Sequence, residues 1–140
     1  MRHSIDIGLL VLRLGIGVMF FFHGLPKIMN GIQNGPIAWQ GLAQYGLPFL
    51  PDGVIAIGFG LAAALAECLG GVLLAIGYLQ RLACLALMAT MAVAFSVKLG
   101  EVTGIGDFAK TAGWPLELLF VLIALFICGP GRYRIGRKTE

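Results

Sequence analysis

Six ionisable side chains interrupt or border otherwise apolar runs: Arg13, His23, Lys27, Glu67, Lys98 and Glu117. In a soluble protein such residues would be surface decoration. Inside a hydrocarbon layer each costs roughly 2.5–3.5 kcal/mol at mid-helix and calls for a partner or a purpose. Two groupings follow from spacing. His23 and Lys27 stand at i and i+4 and share a helix face. Glu117 follows Trp114-Pro115 in what reads as the first turn of a helix, where an anion is favoured. With Trp39 as a lid, His23, Lys27 and Glu117 form a candidate ligand pocket. Histidine or lysine there would donate a hydrogen bond, and a carboxylate would exchange a proton. The structural alternatives are a hydrogen-bonded histidine, a snorkelling lysine and a helix-dipole carboxylate. The second grouping is Arg13 with Glu67. Counted from the span ends they lie ~10 Å and ~15 Å deep, which predicts a buried ion pair between neighbouring helices. That pair would be either structural glue or the lining of a substrate or proton path.

Other chemistry finds little to stand on. His3 and His23 are the only histidines, so no metal centre is expected and no cofactor is held by the chain itself. No dinucleotide, phosphate-loop, zinc-protease or serine-hydrolase motif occurs. Cys68, Cys84 and Cys128 are scattered in apolar runs and read as small packed side chains.

The elements that must position these residues are membrane helices. The chain has 140 residues, 59% hydrophobic and 12% charged, with a mean hydropathy of +0.91. That is too few charges for a water-covered surface. Four apolar segments, at 5–28, 54–77, 82–99 and 114–129, are long enough for helical spans, the last of them only with slight tilt or thinning. They lack the alternation of barrel strands. The first is an uncleaved span: it is too long for a signal peptide and carries Arg13. The expected fold is an all-α, single-domain bundle of four transmembrane helices with a basic tail over 130–140. A short helix from Pro36 to Gly46 should lie in the interface through Ile37, Trp39, Leu42 and Tyr45. One side of the membrane would hold Arg2, Arg81, Arg132, Arg134, Arg137 and Lys138, the other Lys27, Lys98 and Lys110. This asymmetry places both termini in the cytoplasm. The net charge of +3 belongs to that tail and gives no reason to expect nucleic acid.

Three strings carry a family likeness. Leu12-Arg13-Leu14-Gly15 with Phe20 through Gly24 and Lys27 resembles the first helix of the DoxX family. Glu67-Cys68-Leu69-Gly70-Gly71, followed by Gly77 and Arg81, resembles its E-x-x-G-G helix and turn. Glu117 and Gly129-Pro130-Gly131-Arg132-Tyr133 resemble its end. The chain departs from the pattern at Lys98, where many relatives have histidine, and at Arg134-Ile135-Gly136. The resemblance implies a four-helix protein of the bacterial cytoplasmic membrane. It also implies a subunit of a quinone-linked redox, sulfur-oxidation or oxidative-stress complex, whose enzymatic step would need a redox partner protein; on that reading the pocket of His23, Lys27 and Glu117 under Trp39 would take a quinone ring, with histidine or lysine donating to a ring oxygen. The alternatives are a non-catalytic scaffold, or a small-molecule carrier that would need a homo-oligomer to enclose a path.

Overall fold

The computed structural model describes residues 2–135. It has α1 at Arg2–Asn34, α2 at Pro36–Gly46, α3 at Val54–Ile76, α4 at Gln80–Gly100, α5 at Ile105–Phe108 and α6 at Trp114–Cys128. A π-helical turn over Ala109–Gly113 joins α5 to α6. Residues 136–140 of the expected basic tail, with Arg137 and Lys138, lie outside the described residues.

Four helical runs are long and apolar enough to cross a membrane: α1, α3, α4 and the continuous stretch Ile105–Cys128. The fourth is therefore not the short span expected at 114–129. Gly106, Asp107, Lys110 and Gly113 read as loop, yet they are helical. Pro115 has no N–H to give the Thr111 carbonyl, and the wider π turn immediately before it accommodates that lost donor. No thinning of the bilayer is needed.

The order of packing follows the chain. α3 packs against α1 and α4, and α4 against α6. Glycine allows the first of these contacts. A Cβ on Gly17 would come within 2.5 Å of the Gly71 carbonyl oxygen, and one on Gly71 within 2.6 Å of that of Gly17. Such backbone approach suits membranes, where burial from water gives helices no reason to associate. α3 ends in a left-handed Gly77 (φ 72°), with the Tyr78 N–H on the Leu73 carbonyl and the Gly77 N–H on the Leu74 carbonyl. α4 starts three residues later, so α3 and α4 form a tight hairpin.

α1 and α6 are not a closely packed backbone pair. They meet through side chains, notably Phe20, 1% exposed, in a core with Leu74, Leu87, Leu122 and Leu125. This core fills the half of the bundle near the two chain ends and the α3–α4 turn, here called the terminal end. The opposite half, the α2 end, is built differently. α2 lies on α3, with the Trp39 backbone against Gly60 and its ring against Gly31. It therefore packs as part of the bundle, with Ile37 and Tyr45 left exposed.

Candidate functional site

At the α2 end the four runs separate around a cavity of about 660 Å³. Alanine makes much of the wall, from Ala62, Ala63 and Ala66 on α3 to Ala86, Ala89 and Ala94 on α4. Short side chains on facing helices leave the volume that Leu87 and Phe20 fill nearer the terminal end. Leu42 and Tyr45 of α2, with Leu47 just after it, border the cavity as a roof. A ligand-sized volume, apolar walls and a few convergent polar groups are what small-molecule sites have in common.

The polar groups come from three helices. Lys27 Nζ lies 2.5 Å from Glu67 Oε2 and 2.6 Å from Oε1, a two-oxygen ion pair. Glu67 is 3% exposed. The reason lies in the α1–α3 register: Gly24 sits against Ala64 and Cys68, which sets Glu67 about one turn from Lys27 toward the terminal end. Helical side chains lean toward the helix N-terminus, and for α1 that direction leads to Glu67. Beside the pair, the His23 ring stacks on Trp114, with centroids 6.1 Å apart and planes at 11°. His23, Lys27, Glu67 and Trp114 all line the cavity.

The expected Arg13–Glu67 pair does not form. The depth count overlooked that α1 projects past the α3–α4 turn. Gly17 is level with Gly71 and Ala75, so Arg13 falls beside Gly77, well below Glu67. Arg13 is fully buried there and its guanidinium donates to the Tyr133 carbonyl. Among the described residues its Nε and Nη1 have no hydrogen-bond partner. The segment after α6 runs over the projecting part of α1: the Arg132 N–H donates to Asp6 Oδ1 at 3.0 Å, and the Ile135 N–H to the Ile76 carbonyl at 3.0 Å. Arg13 is thus a structural tie and lines no path with Glu67.

Glu117 is also elsewhere. It is exposed, on the face of α6 shared with Phe120 and Ile127, and does not border the cavity. Because helix continues back to Ile105, Glu117 is not at a free helix start, and the dipole argument for it lapses. Trp39 does not serve as lid, since its ring packs on Gly31. Glu67 and Trp114 take the places expected for Glu117 and Trp39. The sequence signal for this was the pair of small-residue faces, Gly17/Gly24 and Ala64/Gly71, whose alignment fixes the register.

A second polar cluster closes the water side of the roof. The Tyr45 hydroxyl donates to Glu101 Oε1 at 2.7 Å, and Lys98 Nζ donates to Glu101 Oε2 at 2.7 Å and to the Tyr45 oxygen at 3.3 Å. The hydrogen bond from Lys98, then that from Tyr45, holds the Glu101 carboxyl below the usual carboxylate range. At the other edge of α2, Gln40 and Gln44 donate to Asp52 Oδ1 at 2.8 Å each, and the Gly53 N–H donates to Gln40 Oε1.

The DoxX family profile matches residues 8–100, two-thirds of the chain. The chain belongs to the DoxX family. The match takes in α1 through α4, and with them His23, Lys27 and Glu67. The likeness seen at Glu117 and Gly129–Tyr133 lies beyond it. Comparison with curated proteins and with solved structures gives no match. With four apolar helical runs, this DoxX chain is a multi-pass membrane protein.

Proposed function

We propose that the protein is the membrane subunit of a redox complex and binds a quinone-type ring in the cavity at the α2 end. The observation that carries this reading is the Lys27–Glu67 pair on the wall of an alanine-lined cavity beside the His23 ring. Lys27 or His23 can donate to a ring oxygen. Glu67, freed from Lys27 as that bond forms, can exchange a proton with it. Reducing quinone to quinol takes two electrons and two protons. The electrons would come from a partner redox protein, and the two protons from the Lys27 ammonium and, once protonated, the Glu67 carboxyl, each reloaded from water. The same reading puts the protein in the bacterial cytoplasmic membrane with both termini inside, the sense favoured by the basic residues near the terminal end.

The test is direct binding. Purified protein in detergent is titrated with a short-tailed benzoquinone while indole fluorescence is followed. Saturable quenching is expected, weakened about tenfold or more by His23→Ala. A second reading, a non-catalytic scaffold, is favoured by one fact: Lys27 and Glu67 already satisfy each other. Absence of saturable quenching would decide for the scaffold.

A further inference from the structure

The two sides of the cavity are closed to different degrees, and this bears on how a ligand reaches it. Toward water the roof is fastened at both edges, by Tyr45 with Lys98 and Glu101, and by Gln40 and Gln44 with Asp52. Toward lipid, α1 and α6 lack close backbone packing. At this level the His23–Trp114 stack bridges them. Both rings border the cavity and both are also exposed. A ring stack is a small barrier beside a set of charged and amide hydrogen bonds. Two side chains can also rotate without any helix moving.

Resting on the quinone-type reading, we propose that the ligand enters sideways from the bilayer between α1 and α6, past His23 and Trp114. It would bind with its ring inside and its hydrocarbon tail left among the lipids. The site then takes membrane-dissolved molecules with a flat polar head and a long apolar tail. A full-length polyprenyl tail does not fit into about 660 Å³ together with its head group, so it needs such an exit. The wall agrees with this division. Its polar atoms lie where a head group would rest, and the exposed Phe22 on α1, next to His23, offers the tail apolar surface.

The experiment uses the full chain in liposomes with Trp39→Phe, which leaves Trp114 as the single indole, and two quinones that share a head group. One has a short tail and one a full-length polyprenyl tail. Sideways entry predicts saturable quenching by both, with affinities per membrane-dissolved quinone within about threefold. Rejection of the long-tailed probe by about tenfold or more, with the short one bound, would overturn the entry route and leave the ring site standing. Failure of both to quench would remove the quinone reading and this inference together. Rates give an independent check. Glu101→Gln loosens the water side and should leave the association rate within about twofold, whereas a rise of about tenfold would mean entry from water. Bridging His23→Cys to Trp114→Cys with a bifunctional thiol reagent, with association now followed by rapid filtration of a radiolabelled quinone because the reporting indole is gone, should slow association about tenfold relative to the same unbridged protein. An unchanged rate would refute the gate.

Discussion

A lysine within two turns of the end of a membrane helix ordinarily extends its ammonium outward to water. Lys27 instead reaches inward to a carboxylate that is 3% exposed. The arrangement holds because neither charge has another partner at that depth. Removing one should therefore cost far more than removing both. Glu67→Gln or Lys27→Met alone is expected to destabilise the bundle by about 3–5 kcal/mol, and the double variant by much less than the sum. Thermal unfolding in detergent would measure the cycle, and additivity would contradict a coupled pair. Gly77 offers a second check at this scale. Its φ of 72° and the Arg13 guanidinium packed against it both exclude a side chain. Gly77→Ala should lose at least about 1–2 kcal/mol from the left-handed backbone alone. Gly8, with open space around it, should tolerate alanine.

Among the elements, α2 shows most clearly what sequence patterning can and cannot convey. Pro36 and Gly46 mark its ends, and the helix runs between them. Its position is a tertiary matter. Gly31 and Gly60 let it sink against α1 and α3, and no local pattern in 36–46 signals that. The spans were legible in the same way: hydropathy located them, while their register depended on which glycine faced which backbone. The Arg13–Glu67 expectation failed on register, by about three turns. Helix between 105 and 113 escaped notice because polar and glycine residues there look like a loop. The fastening of α2 also has a pH signature. With the Glu101 carboxyl below its ordinary range, its contribution is present above the ordinary carboxylate pKa and lost as pH falls through the depressed value. Amide protection in α2, taken relative to the intrinsic exchange rate at each pH, should fall in acid below the usual carboxylate range. Glu101→Gln should show the faster exchange already at neutral pH. Equal exchange in the two proteins at neutral pH would mean the fastening does not hold α2.

For the molecule as a whole, the division into a packed terminal end and a hollow α2 end separates stability from binding. Leu74, Leu87, Leu122 and Phe20 supply the packed half. Enlarging a cavity alanine is the cleanest way to use the separation. Ala63→Leu should fill the hollow, abolish quinone quenching and leave the unfolding temperature unchanged or raised. A loss of stability without loss of binding would contradict the division. Orientation is tested at the same scale. A reporter fused after Glu140 should behave as cytoplasmic and one inserted in the loop between α4 and α5 as external, and the reverse would overturn the topology.

The tie between Arg13 and Tyr133 joins residues 120 positions apart. At about 5–20 residues per second, the ribosome delivers the acceptor on the order of ten seconds after the donor. During synthesis, a guanidinium destined for full burial waits in the first span without its backbone acceptor. The segment after α6 then lies across α1 and covers it. The burial of Arg13 therefore waits until the segment after α6 has been made. A chain stopped after Cys128 would carry all four spans and still leave the Arg13 guanidinium without its Tyr133 acceptor at the terminal end.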